Sequence, residues 1–279
     1  MIPFTGNPLD RAGDRRHDEA WLAARLADPA SVFIAFHDGK PLLRDGALAR
    51  VARQDEPALF LGLDGGTAWF AVEREQETAG FEEMRAAALI LPPEESAIAA
   101  SAKSLFDWHR RHGFCAVCGK PTRIAAAGWQ RLCDGCGAEH FPRVDPVVIM
   151  LPLFEDRCLL GRSPAWPAKR MSALAGFIEP GETVEEACAR EMQEEAGLVA
   201  TRVTYHASQP WPFPSSLMIG LFAEVANDRA VADGKELEEV RWLTREEARA
   251  VLEGSHPDVL MPSRLGIARE LVEVWVKQC

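Results

Sequence analysis

Three glutamates, Glu191, Glu194 and Glu195, stand at the spacing i, i+3 and i+4 in a segment that reads as a helix. Thr183 followed three residues later by Glu186 is a capping box, and Gly197 directly after the last acids suits a C-terminal stop. The helix is therefore predicted from about Val184 to Glu195. Val184, Ala187 and Cys188 begin a stripe with the spacing of a core-facing surface, and its continuation puts the three carboxylates where apolar residues would be expected. At about 4 Å in an effective dielectric of about 20, each like-charge pair costs roughly 4 kcal/mol. Such a cluster needs a cation or raised pKa values. Hard oxygen donors on a face with room for water select magnesium or manganese, ions that also bridge phosphate oxygens. Glu185 and Glu186 read as an ordinary solvated face; an entirely solvated Glu-rich helix is the alternative for the other three.

A second constellation is made of sulfur. Cys115-x2-Cys118, fourteen residues, then Cys133-x2-Cys136 offers four thiolates in two knuckles, with Gly119 and Gly137 directly after the pairs where tight turns are needed. Four protein ligands close a tetrahedral zinc ion and leave no open position, so the expected metal is structural. A redox dithiol is the competing reading. The remaining thiols, Cys158, Cys188 and Cys279, read as inert core or terminal residues, and a total of seven cysteines with two Cys-x-x-Cys pairs favours metal binding in a reducing compartment over a disulfide framework.

The third segment is Ser208-Gln209-Pro210-Trp211-Pro212-Phe213-Pro214-Ser215-Ser216. Three prolines within five residues make a stiff, extended segment that presents Trp211 and Phe213 at small ordering cost. Flat aromatic faces suit the stacking of nicotinamide or adenine, and the Ser and Gln side chains offer hydrogen bonds to ribose or phosphate. A rigid Pro-aromatic loop packed on the core is the plainer alternative.

The elements that must position these residues fall into three textures. Up to about residue 110, strand-like runs at Ser31 to Phe36, Leu59 to Leu63 and Ala68 to Val72 precede helix-like stretches at Phe81 to Leu91 and Glu94 to His109, split by Pro92-Pro93; no catalytic pattern is visible there. Residues 111–142 are rich in Cys and Gly and poor in periodic apolar structure, as a metal-held element would be. From Pro146 onward, strands are predicted at Val147 to Phe154, Arg157 to Leu160, Val199 to Ala207 and Leu217 to Val225, a strand-like run at Val240 to Trp242, and helices from Arg245 to Leu252 and Arg264 to Lys277. At 279 residues and 47% hydrophobic composition the chain has material for more than one core. The net charge of −11 argues against nucleic-acid binding through a broadly basic surface, and an acidic enzyme acting on anions needs metal ions near its site. With no apolar run of about 18 residues and a polar, charged N-terminus, the expectation is a soluble cytoplasmic protein without a membrane segment.

Gly176-x5-Glu182-x7-Arg190-Glu191-Met192-x-Glu194-Glu195-x-Gly197-Leu198 fits every fixed position of the Nudix box, so the chain resembles the Nudix hydrolase superfamily. The array from Ser208 to Ser216 resembles the Ser-Gln-Pro-Trp-Pro-Phe-Pro-x-Ser signature of its NADH pyrophosphatase (NAD-capped RNA hydrolase) family. That resemblance implies an α+β chain: a Nudix α/β/α sandwich over 143–279, preceded by a four-Cys zinc ribbon over 111–142 and an N-terminal α/β domain over 1–110. It implies that Glu191, Glu194 and Glu195 bind Mg2+ or Mn2+, that Glu182 assists them, and that Arg190 orients a carboxylate, a role compatible with simple charge balance. Glu236, in Asp233-Gly-Lys-Glu236, resembles a late glutamate that supplies another metal ligand, with Glu238 and Glu239 close by. Phe177 and Phe141 correspond to aromatics that sandwich a base, the second coming from the other subunit of a homodimer; Phe141 stands where Tyr is common, which preserves stacking and removes a hydroxyl. The implied substrate-binding set also holds Ser208, Gln209, Pro210, Trp211, Pro212, Phe213, Pro214 and Ser215. The implied reaction is attack of water on a phosphorus of NADH or NAD, a carboxylate taking the proton, to give nicotinamide mononucleotide and AMP. Removal of NAD caps from RNA 5′ ends breaks the same bond. A non-catalytic, nucleotide-sensing Nudix module is the alternative, although such proteins usually lose acids from the box and this chain retains all of them.

Overall fold

Apolar runs with strand-like patterning organise two compact units in the computed structural model, which describes residues 2–53, 56–261 and 264–278. One unit comprises Pro3–Val144 with Pro210–Ser215; the other comprises Asp145–Gln209 with the chain from Ser216 onward. Cys279 lies outside the described residues.

In the first unit, α1 (Glu19–Ala27) is capped by the Asp18 side chain, which accepts from Trp21 N–H; the sequence reading had no helix here. The sheet is built from β1 (Val32–His37), β2 (Lys40–Pro41), β5 (Ala58–Asp64) and β6 (Thr67–Glu73) in the order β2-β1-β6-β5, with a small hairpin of β3 (Leu43–Arg44) and β4 (Ala47–Leu48) beside it. β1 and β6 are parallel and buried almost throughout, in keeping with their continuous apolar runs. Phe33 stacks on Phe70 at 5.2 Å between ring centres, and Phe60 completes the cluster. Two helices follow, α2 (Met84–Ile90) and α3 (Pro93–Arg111). α2 is shorter than its apolar pattern because Phe81 bridges to Leu42 instead, and Pro93 opens α3 at a position where its missing N–H is not needed. The knuckle region adds a three-stranded sheet of β7 (Arg123–Ala125), β8 (Gln130–Leu132) and β9 (Glu139–His140).

The second unit is centred on β10 (Asp145–Phe154), whose residues 147–152 are all buried. Alternate side chains point to opposite faces. Val148 and Met150 pack with Ala187, Cys188, Met192 and Ala196 of α4 (Val184–Ala196); Ile149 and Leu151 pack with α5 (Arg245–Glu253) and α6 (Ile267–Lys277) through Val251, Leu271 and Trp275. One strand therefore serves two cores, and an α/β/α sandwich results. Flanking it are β11 (Arg157–Arg162), β13 (Ala200–Trp211), β14 (Ser216–Val225) and β15 (Glu239–Thr244), in the order β13-β14-β10-β11-β15, while β12 (Leu174–Phe177) pairs separately with β10. β12 was not predicted. Its Leu-Ala-Gly-Phe sequence is too short to show alternation, and pairing of Val148 with Gly176 holds it in place.

The two sheets share a pattern. β1 pairs antiparallel with β2 and parallel with β6, as β10 pairs antiparallel with β11 and parallel with β14. The order β2-β1-β6-β5 thus repeats β11-β10-β14-β13, although among the described residues no helix stands between β2 and β5 as α4 does between β11 and β13.

Candidate active site

α4 begins as its sequence dictates: the Thr183 hydroxyl accepts from Glu186 N–H at 3.2 Å, the Glu186 carboxylate accepts from Thr183 N–H at 2.8 Å, and Gly197 closes the helix in a left-handed conformation. Its buried face is Ala187, Cys188, Glu191, Met192, Glu195 and Ala196. The expected stripe is thus displaced slightly: Met192 joins the core, Val184 is half-buried, and Glu194 stands at the exposed edge. Glu191 and Glu195 are the carboxylates that burial isolates.

Arg190 gathers the acids around it. Its Nε and Nη2 donate to the two oxygens of Glu182 at 2.6 and 2.9 Å, Nη1 donates to Glu191 and Glu194 at 2.9 and 3.1 Å, and Nη2 also donates to the carbonyl of Phe177 at 2.8 Å. The bidentate bond to Arg190 holds the Glu182 carboxyl down at about 2. Glu182 also accepts from Glu179 N–H, which fixes the loop ahead of the helix. Gly176 is required for another reason: a Cβ there would lie 1.9 Å from the Glu191 carboxyl carbon. The strand approaches the carboxylate so closely that only a hydrogen fits.

Glu195 differs from its neighbours. It is 4% exposed, its Oε2 is buried with no hydrogen-bond partner among the described residues, and Arg190 does not reach it. Desolvation, followed by the charges of Glu191, Glu236, Asp233 and Glu194, pushes its carboxyl up to about 8. Desolvation also raises Glu191. A divalent cation fits this donor set: it supplies the missing partner for Oε2 and neutralises the mutual repulsion. Asp233 N–H donates to the carbonyl of Glu195 at 3.1 Å, and the Asp233 carboxylate accepts from the N–H groups of Glu236 and Leu237. This Asp-anchored turn is how Glu236 comes into the field of α4; the sequence reading named Asp233 without giving it this part. Glu238 and Glu239 both pair with Arg162.

The residues of the third segment have separate fates. Gln209 is fully buried, its amide N–H donating to the Leu265 carbonyl at 2.7 Å and its carbonyl accepting from Ile267 N–H at 2.8 Å, where it caps α6. Ser208 accepts from the Tyr205 hydroxyl at 3.4 Å. The extended run ends at Trp211 and a turn follows through Ser215, with Pro212 buried, Pro210 exposed, Pro214 and Ser215 half-buried, and a cis peptide between Phe213 and Pro214. Trp211 and Phe213 meet edge to face at 5.1 Å, Phe4 packs against both, and the Arg85 guanidinium lies 3.9 Å from the Phe213 ring centre. These two rings are therefore engaged by protein. Phe177, at 60% exposure, and Phe141, at 64%, offer open faces.

The four cysteines lie with their sulfurs all within 4.8 Å of one another, Cys115 to Cys136 at 3.7 Å and Cys118 to Cys133 at 3.5 Å. An ion with Zn–S bonds of about 2.3 Å places tetrahedral sulfurs about 3.8 Å apart, whereas a disulfide needs about 2 Å. The thiols are free, and the spacing is that of a structural zinc site. Each knuckle closes through its glycine: Gly119 N–H donates to Cys115 carbonyl and Gly137 N–H to Cys133 carbonyl, both glycines at positive φ. His140 approaches the Cys115 sulfur at 3.3 Å, and Val117 N–H donates to it. Among the described residues, no other group of three or more His, Cys, Asp or Glu side chains gathers as tightly.

Comparison with known proteins agrees along the chain. Residues 143–261 match the NUDIX domain, residues 110–141 the NADH pyrophosphatase zinc ribbon domain, and residues 30–108 the NADH pyrophosphatase-like rudimentary NUDIX domain. The last match gives a reason for the repeated strand order. The chain is 34% identical over 337 aligned residues to the human NAD-capped RNA hydrolase NUDT12, covering 98% of this chain and 73% of that protein. It is 39% identical over 256 residues to the NAD-capped RNA hydrolase NudC of Mycobacterium bovis (strain BCG / Pasteur 1173P2), covering 85% of this chain and 81% of that protein. With a complete Nudix box on α4, a four-cysteine zinc ribbon and relatives of this extent, the chain is an enzyme of the Nudix hydrolase superfamily and belongs to its NADH pyrophosphatase and NAD-capped RNA hydrolase family.

Proposed function

We propose that this enzyme hydrolyses the diphosphate of NADH or NAD to nicotinamide mononucleotide and AMP, and that it acts on the same bond in NAD-capped RNA 5′ ends. The observation that carries the reading is Glu195: a buried carboxylate with an oxygen unpartnered among the described residues, amid four further acids, is costly unless a divalent cation and a charged substrate complete it. Glu191, Glu194, Glu195 and Glu236 would hold Mg2+ or Mn2+, which when bound would neutralise phosphate oxygens and activate water. Arg190 and Glu182 then act as a frame, keeping the carboxylates aimed without coordinating substrate. A carboxylate of this cluster would accept the proton of the attacking water as the water oxygen bonds to one phosphorus and the bridging P–O bond breaks, its electron pair leaving with the departing mononucleotide's phosphate. Phe177 and Phe141, both exposed, are proposed to stack on a base, Phe141 from the second subunit of a homodimer. In the segment 208–215 the proposed contribution to substrate selection shifts from direct stacking toward support, because Gln209, Trp211 and Phe213 are bonded or packed elsewhere. Among the described residues no helix is long and apolar enough to cross a membrane, and a cytoplasmic location is proposed with the function.

Product analysis tests the reading. Purified enzyme with magnesium and, separately, manganese is given NADH, NAD, ADP-ribose and an NAD-capped oligonucleotide, and release of AMP, or of 5′-monophosphate RNA, is followed by chromatography. Preferential splitting of the nicotinamide substrates is the expected result. Binding of NADH with neither metal producing AMP would replace the proposal with a nucleotide-sensing role.

A further inference from the structure

Two arginines in the N-terminal arm share one aromatic platform. The Arg16 guanidinium carbon lies 3.8 Å from the centre of the Trp129 ring, and that of Arg11 lies 5.4 Å from it. Placing two cations together is unfavourable without a counter-charge. The chain has acids to spare, 42 against 31 Lys and Arg, yet among the described residues no carboxylate lies within ion-pairing distance of either guanidinium. Arg16 instead donates to the carbonyl of Arg11 at 3.1 Å and keeps its Nε buried without a partner; Arg11 donates to the Ser101 hydroxyl at 3.2 Å. Partial desolvation lowers the pKa of both, and Arg11 lowers Arg16 further by its charge, so the half-buried Arg16 sits beside a second cation without a carboxylate, while Arg11 is open to solvent.

The platform is rigid. Trp129 Nε1 donates to the Phe60 carbonyl at 2.7 Å, which fixes the ring. The arm is laid on β5 by reciprocal hydrogen bonds between Asp10 and Leu63, and it passes so close that a Cβ on Gly62 would meet the Asp10 carbonyl at 2.5 Å. Asn7 ties it to α3 through Ser101 and the Ala97 carbonyl. Two guanidiniums seated on one anchored ring without a carboxylate are suited to an oxyanion, because the ring limits their freedom and planar N–H forks match tetrahedral oxygens.

We infer that Arg11 and Arg16, seated on Trp129, form a phosphate-binding site in the N-terminal unit. The phosphate comes either from the backbone of an RNA chain or from free phosphate, and two probes separate these sources. The inference stands apart from the proposed hydrolysis, since neither assay involves turnover.

The full-length, zinc-loaded protein without added magnesium or manganese is titrated with inorganic phosphate by calorimetry. It is also titrated with a fluorescein-labelled single-stranded RNA of about a dozen nucleotides by anisotropy, enough to span an ordinary single-strand site. R11M/R16M keeps apolar contact with Trp129 and removes the charge; R11K/R16K keeps the charge. Phosphate affinity is expected to fall at least fivefold in R11M/R16M and by less in R11K/R16K. If RNA affinity falls alongside, and the slope of log K against log salt flattens by about 0.7 to 1.4, the source is the RNA backbone. If phosphate binding falls while RNA binding is unchanged, the source is free phosphate. Should R11M/R16M not fold, R11M alone, which changes an exposed side chain, is expected to weaken phosphate binding at least threefold. Phosphate binding that is absent in the wild type, or equal in the wild type and the methionine variants, overturns the inference.

Discussion

Glu195→Gln tests the electrostatic reading of α4 without relying on turnover. In the divalent-free protein a carboxyl that titrates at about 8 in the fold keeps a proton that the unfolded chain releases near 4.5. The native state binds more protons across that window, so its stability falls as pH rises from about 4.5 to 8. With about 1.4 kcal/mol for each pH interval, the loss is roughly 3 kcal/mol at pH 7 and approaches roughly 5 kcal/mol above pH 8. Glutamine has the same shape and does not titrate. In urea denaturation after chelation of exchangeable divalents, the variant and the wild type should be alike at about pH 4, below both values, and the variant should be the more stable by roughly 1.4 kcal/mol at pH 5.5 and by roughly 5 kcal/mol at pH 8.5. Ionisation of other groups, thiols included, acts on both proteins and cancels in the difference. Manganese added at pH 8.5 should stabilise the wild type by about 3 kcal/mol at a hundredfold excess over its Kd, and the variant much less. The variant should also lose most turnover, since a charged oxygen ligand has become a neutral amide. Parallel loss of stability in both proteins between pH 5.5 and 8.5 would refute the argument that burial and the charges of Glu191, Glu236, Asp233 and Glu194 act on Glu195.

Gly176→Ala should fold, since the clashing atoms belong to the flexible end of Glu191, but displacement of that carboxylate should lower kcat by about a hundredfold; unchanged turnover would show that Glu191 need not sit where it does. Glu185→Gln, on the solvated side of the same helix, should be nearly silent in both turnover and stability. Elemental analysis should find one zinc per chain, and Cys118→Ser should lower the unfolding temperature far more than the kcat of the enzyme that remains folded, because a structural zinc supplies on the order of 10 kcal/mol of local folding energy. Phe177→Ala should weaken use of NADH about tenfold, from a stacking contribution of roughly 1 to 3 kcal/mol, with a smaller effect on a diphosphate lacking nicotinamide; equal losses on both would point to damage of the box rather than loss of a base contact.

Much of this protein is legible in one dimension because its determinants are local. The capping box Thr183/Glu186, the terminal Gly197 and the carboxylate spacing specify α4 from within one segment, and each Cys-x-x-Cys pair specifies its own knuckle turn. Element type follows from periodicity, so the strands around β1, β6, β10 and β14 and the helices α3 and α5 stand within a few residues of their predicted limits. What depends on residues distant in the chain had to wait for the fold. β12 exists because β10 pairs with it, and the closeness of Gly176 to Glu191 is a consequence of that pairing. Whether Glu194 or Met192 faced the core turned on a rotation of α4 of less than a residue's arc, which helical spacing alone does not resolve. Trp211 and Phe213 read in the sequence as stacking surfaces, and only the fold shows that they pack with Phe4 and Arg85, more than a hundred residues away, and are half-buried. Gln209 reads in the sequence as an amide for a ligand, and only the fold shows it buried and bonded to the backbone of Leu265 and Ile267. The sequence by itself determined the Nudix box, the two cysteine knuckles and the limits of α4, because such motifs and helix termini are written in neighbouring side chains. Only the tertiary structure decided which of those side chains remain unpartnered, because partnership in a folded chain is settled by long-range packing and by the desolvation that comes with it.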